Sequence, residues 1–215
     1  MSHRYLARLH DALATRRAVF SIDLPGFGGL PKPGFDVDIA AMSRALGELI
    51  GTLHEGPVVL VGHSMGSQWV VETAVQRPDS VAHVVAMGPV ADVSDRSLTG
   101  QAVALAVDSM REPPGINAIV FTDYLRCGVP WYLMQVRHML TYPIEERVAD
   151  LRVPLLVVRG SRDPIAGLAW CRRLRDRAAS AQLVQIPGRA HVAQQSSPRA
   201  VASAILACTV PAVTP

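Results

Sequence analysis

Ser64 sits in Gly62-His63-Ser64-Met65-Gly66, a GxSxG pentapeptide that directly follows the apolar run Pro57-Val58-Val59-Leu60-Val61 and precedes the helix-periodic stretch 69–75. Strand, GxSxG and helix in that order predict a turn so tight that both flanking positions must lack bulky side chains. Glycine at 62 and 66 meets that demand. The turn lifts the Ser64 hydroxyl above the strand end. It also aims the Met65 backbone N–H, with the positive end of the following helix, at a developing oxyanion. The chemistry this implies is nucleophilic attack by a serine, which needs a base and an acid to orient that base.

Two later loops offer them in the chain order Ser, Asp, His. The apolar run 154–158 leads into Gly160-Ser161-Arg162-Asp163-Pro164, and the run 181–186 ends at Pro187-Gly188-Arg189-Ala190-His191. Asp163 is the candidate orienting acid and His191 the candidate general base. Each has a plainer alternative. Asp-Pro commonly starts turns, so Asp163 could be a capping residue, with Asp92 and Asp95 as reserve acids after the strand at 81–87. Of the seven histidines, His63 lies inside the elbow and His83 within a strand, whereas His191 has a post-strand loop to itself. His63, Gly26 and Gly28 read as structural, and the Asp23 carboxylate as a partner for backbone in its own loop.

With these motifs in order, the chain resembles the α/β-hydrolase superfamily over nearly its whole length. Asp23-Leu24-Pro25-Gly26-Phe27-Gly28 is similar to that family's DxxGxG loop, and Ser64, Asp163 and His191 match its triad. The resemblance implies an α/β fold: a mostly parallel sheet with helices on both faces and a helical cap insertion. It also implies a departure. Members begin with two or three strands, the third ending in a His-Gly loop that donates the second oxyanion-hole N–H, and neither those strands nor His-Gly precedes the first helix here. The missing strand would lie between a strand at 19–23 and the elbow strand at 58–61. The first strand is then expected either to slide over and pair with the elbow strand, or the chain to be a shortened version of a longer protein. An open gap is not expected, because buried unpaired backbone groups cost about 1–3 kcal/mol each. The second is the favoured expectation, since Tyr5, Leu6, Leu9 and Leu13 fall at helical spacing as the family's first helix would, so that the sequence enters the fold mid-pattern.

The elements that must position these residues follow from periodicity. Tyr5, Leu6, Leu9 and Leu13 predict a first helix, and Ile39, Met42, Leu46, Leu49, Ile50 and Leu53 a second behind an Asp38 cap. Near-continuous apolar strands at 58–61, 81–87, 155–158 and 181–186 suit a parallel sheet buried on both faces. A helix around Trp170 separates the last two strands, and Ser197-Pro198 opens a closing helix. Between 88 and 150 the rhythm lapses into short helices at 98–110, 116–126 and 131–140. We therefore divide the chain into a first core part at 1–90, a helical cap at 91–150 and a second core part at 151–215. By resemblance the cap roofs the site, which makes Phe121, Tyr124, Trp131 and Met134 candidate substrate contacts. Each is also an ordinary candidate for the cap's own core.

Composition bounds the rest. At 215 residues and 49% hydrophobic content the chain supports one sizeable core. The net charge of +3 comes from 21 basic and 18 acidic residues scattered without interleaved aromatics, so no nucleic acid partner is expected. Three widely spaced cysteines fit neither a disulfide framework nor a zinc pattern, which points to a reducing, cytoplasmic setting and no metal. No run approaches the ~18 apolar residues of a membrane span. An alanine- and arginine-rich chain with one lysine, Lys32, suggests a bacterial source.

The expected activity is cleavage of a carboxylic ester or related carbonyl bond in a small, apolar substrate through an acyl-enzyme, with no cofactor. Alternatives with the same triad are C–C bond hydrolysis, lactone opening and cofactor-free haloperoxidation. A further alternative is a fold that has lost turnover with the missing oxyanion loop. The sequence leaves substrate and oligomeric state open.

Overall fold

The structure, a computed structural model, describes residues 2–53, 55–92 and 114–209. Among these residues four parallel strands form one sheet in sequential order: β1 (Val58–His63), β2 (Val81–Met87), β3 (Leu155–Gly160) and β4 (Ala181–Ile186). Alternate residues of the central strands point to opposite faces, as a period of two requires. Val84, Ala86, Leu155 and Val157 enter one core cluster, while Val85, Met87, Leu156 and Val158 enter another.

The first cluster is closed by α2 (Ile39–Leu53), α3 (Gly66–Gln76) and α7 (Leu168–Arg177), which present Met42, Val71, Trp170 and Leu174. The second is closed by α1 (Ala7–Ala14) and α9 (Pro198–Thr209) through Leu9, Leu13, Val201 and Ile205. The Asp38 cap is present: its Oδ1 accepts from the Ala41 N–H at 2.7 Å, satisfying one of the free donors of the first turn.

Between β2 and β3 lie α4 (Pro114–Cys127), α5 (Val129–Thr141) and a short α6 (Ile144–Ala149) that periodicity did not single out. Glutamine side chains fasten α5 to the core. Gln68 of α3 donates to the Met139 carbonyl at 2.9 Å, and Gln135 of α5 donates to the Val37 carbonyl at 3.0 Å. A short helix α8 (Ala193–Ser196) precedes α9. The helix expected at 98–110, and the reserve acid Asp95, lie outside the described residues.

One expected strand is not there. Residues 19–23 carry no strand, and no backbone hydrogen bond among the described residues joins them to β1. The segment has not slid over to the elbow strand. A cavity of about 1000 Å³ borders both β1 and residues 18–22, with Leu9, Leu13, Leu46 and Ile50 on its walls. An apolar run becomes a strand only by pairing, and here the pairing edge of β1 faces that cavity.

Candidate active site

The elbow begins where β1 ends. Ser64 has φ 55°, a left-handed backbone conformation that costs an L-residue roughly 1–2 kcal/mol. Its N–H donates to the Met87 carbonyl at 2.9 Å, and its own carbonyl accepts from the Ser67 N–H at 3.0 Å and the Ser67 hydroxyl at 2.5 Å. The strain is therefore held by β2 on one side and the first turn of α3 on the other. Close approach explains Gly62, because a Cβ there would lie 2.2 Å from the Gly66 carbonyl oxygen. It does not explain Gly66, where a Cβ would meet nothing within 4 Å. The steric demand expected at both positions thus applies to the first alone.

Asp163 follows β3 in a tight loop and is buried. Its Oδ1 accepts from the Ile165 and Ala166 N–H groups at 2.8 and 2.9 Å, and its Oδ2 faces His191 Nδ1 at 2.9 Å. The carboxylate thus meets the turn N–H groups with one oxygen and the imidazole with the other. Since an ionised carboxylate only accepts, Nδ1 carries the proton and Nε2 is left as the acceptor. Burial alone would raise the Asp163 carboxyl. The charge and hydrogen bond of His191, then the Ala166 and Ile165 N–H groups, outweigh it and hold the carboxyl at about 2. The reserve acid Asp92 is engaged elsewhere, by Arg173 of α7.

His191 is buried in the loop after β4, packed against Gly88, whose φ is +50° and where a Cβ would lie 2.8 Å from His191 Cε1. Ser64, Met65 and His191 all border the large cavity. Among the described residues no backbone hydrogen bond uses the Met65 N–H, which stands at the N-cap of α3. Ser2 and His3 also border the cavity, but their N–H groups donate to Asp123 Oδ2 and Asp23 Oδ1, both at 2.6 Å.

The expected cap contacts separate. Phe121 is 65% exposed. Trp131 is buried against Phe27, with ring centroids 6.3 Å apart, and Met134 packs against the core. The side chain of Tyr124 lies outside the described residues. Phe121, Trp131 and Met134 do not border the cavity; Tyr132, Val136 and Met139 of α5 do. Those three recur at i, i+4 and i+7, one face of the helix, and Trp131 and Met134 lie off it.

Comparison with known proteins agrees with this architecture. The sequence profile of the Alpha/beta hydrolase family matches residues 2–204. The chain belongs to that family. It is 27% identical over 218 residues to the dihydrolipoyllysine-residue acetyltransferase component of the acetoin cleaving system of Pseudomonas putida, covering 92% of this chain and 58% of that protein. It is 25% identical over 223 residues to 2-(acetamidomethylene)succinate hydrolase of Mesorhizobium japonicum, covering 90% and 78% respectively. Among solved structures, the enol-lactonase of Burkholderia xenovorans LB400 superimposes with a TM-score of 0.78 at 21% identity, over 96% of this chain and 86% of the other. Among the described residues no helix is long and apolar enough to cross a membrane.

Proposed function

We propose that the protein is a serine hydrolase that cleaves esters or related carbonyl compounds of small, apolar substrates. His191 Nε2 takes the proton from Ser64 Oγ as that oxygen attacks the carbonyl carbon. The tetrahedral oxyanion turns toward the Met65 N–H and the α3 N-terminus. Collapse expels the leaving alcohol, which collects the proton from His191, and water activated by the same imidazole releases the acid. Asp163 keeps the imidazole in the Nδ1–H tautomer and stabilises the imidazolium. The observation that carries this reading is the Asp163–His191 pair at 2.9 Å, set on a cavity that Ser64 borders from a strained elbow.

The segment 91–150 is read as the cap, its α5 face of Tyr132, Val136 and Met139 lining an apolar substrate channel. This revises the contacts first expected from sequence. The unpaired Cys127, Cys171 and Cys208 support a reducing, cytoplasmic setting. Hydrolysis of p-nitrophenyl esters from acetate to octanoate tests the reading. Turnover that is lost in Ser64→Ala and His191→Ala, both folded, supports it. Equal turnover in either variant, or none in the parent chain, overturns it. A parent chain that folds but does not turn over would favour a binding role.

A further inference from the structure

We infer that Arg159 is a positioning residue, a buried guanidinium that sets the shape of the loop from which Asp163 reaches His191. The inference rests on the roles proposed above for those two residues. Arg159 is the penultimate residue of β3 and follows the apolar Leu155-Leu156-Val157-Val158, yet it is only 5% exposed.

Its donors converge on the acid loop and the neighbouring strand. Nε donates to the Ala166 carbonyl at 2.7 Å, Nη2 to the Asp163 carbonyl at 3.1 Å and Nη1 to Gln185 Oε1 at 2.8 Å. A longer contact at 3.5 Å joins Nη1 to the Ser161 carbonyl. Gln185 is also its register partner on β4, so the side chain bridging the two strands lies directly beside the loops that carry Asp163 and His191.

The geometry closes on itself. Ala166 gives its carbonyl to Arg159 and its N–H to Asp163 Oδ1, and Asp163 gives its own carbonyl to Arg159. The guanidinium therefore grips both ends of the turn whose N–H groups hold the carboxylate. Among the described residues no carboxylate lies within ion-pair distance of Arg159. Its charge is offset by carbonyl and amide dipoles, and those dipoles point correctly only in this loop conformation. Relaxing the loop would leave a buried cation without acceptors, a heavily penalised state. The cation thus makes the loop rigid, and rigidity keeps Asp163 Oδ2 on His191 Nδ1.

The test compares the parent chain with Arg159→Met and Arg159→Lys. The tautomer of His191 is read by 15N NMR of histidine-labelled protein, and turnover of p-nitrophenyl butyrate is normalised to titrated sites. Methionine keeps apolar volume and removes every donor; lysine keeps the charge and can satisfy one carbonyl. We expect Arg159→Met to convert His191 from the Nδ1–H form to a tautomer mixture. Its kcat should fall by on the order of 10- to 100-fold with KM within about twofold, and Arg159→Lys should fall between it and the parent. A purely structural role would lower the melting temperature and leave the tautomer of the folded molecules, and their per-site turnover, unchanged. That result in a folded Arg159→Met protein overturns the inference, and Arg159→Lys carries the same readouts if the methionine variant does not fold. Absence of turnover in the parent chain would sink the hydrolase reading, while the tautomer comparison would still decide the role of Arg159.

Discussion

His63 donates from Nε2 to the carbonyl oxygen of His191 across 2.9 Å, tying the residue before the candidate nucleophile to the backbone of the candidate base. The two rings lie 4.6 Å apart, and Tyr5 packs edge-on against His63 at 5.3 Å. Burial, then the charge on His191, push the His63 imidazole down to about 3.

His63 therefore makes stability depend on pH. The unfolded chain protonates this residue near 6.5 and the folded chain only near 3. Between those values the unfolded state holds more protons, so stability is lost as pH falls. Urea midpoints of the parent chain should drop across that window. His63→Gln, which keeps a donor for the His191 carbonyl, should show a shallower drop; equal slopes would contradict the assignment.

Asp163→Asn separates the two tasks of one carboxylate. The amide oxygen can keep the turn bonds to Ile165 and Ala166, while its NH2 cannot accept from Nδ1–H and favours the opposite tautomer. We expect a lowered melting temperature at neutral pH, because the stabilising charge is lost, with kcat reduced on the order of 10³–10⁴-fold. Asp163 stays ionised above about 2, so it adds no limb to the pH–rate profile at ordinary pH. It contributes stability that is present above 3.8 and is lost as pH falls toward 2. A variant that melts normally and turns over normally would remove Asp163 from the mechanism.

The two elbow glycines should respond differently to alanine. At Gly62 the new methyl would meet the Gly66 carbonyl at 2.2 Å, so the elbow must deform, at a cost of about 3 kcal/mol. At Gly66 the methyl enters open space, and the helical position should gain roughly 0.5–1 kcal/mol. Paired chemical denaturation curves read both effects, and comparable destabilisation at the two sites would contradict the geometry.

Arg147 of α6 should matter for stability more than its surface position suggests. It donates to Glu72 of α3 from Nε at 2.8 Å, and Tyr142 donates its hydroxyl to the same Glu72 Oε2 at 2.8 Å. Burial would raise the Glu72 carboxyl, but Arg147, Gln76 and Tyr142 together hold it below its usual range. Arg147→Met leaves that buried carboxylate one partner short and should cost about 2–3 kcal/mol. Removing both groups in Arg147→Met/Glu72→Gln should recover part of it. Additive losses in the double variant would show that the pair is not coupled.

Much of this was readable in the chain because the apolar patterns are strong. The four strands of the sheet, the elbow helix and the Asp38 cap stand where periodicity and capping chemistry put them. What failed depended on tertiary context. Residues 19–23 have strand-like composition, but strands exist by pairing, and no edge among the described residues hydrogen-bonds to them. In α5 the helical period correctly groups Tyr132, Val136 and Met139, yet nothing local says that this face, rather than that of Trp131 and Met134, turns to the cavity. Phe121 shows the same limit, since an aromatic in an amphipathic helix need not point inward. Arg159 did leave a signal, a charge closing an apolar strand one residue before Gly160. The tie from His63 to the His191 backbone left none, because it joins positions 128 residues apart.

The most direct measurement is intact-mass and peptide-mapped labelling of the folded protein with a fluorophosphonate. We expect a single adduct on Ser64, absent in Ser64→Ala and formed much more slowly in His191→Ala. A well-folded chain that takes up no label, or takes it up at another residue, would contradict it.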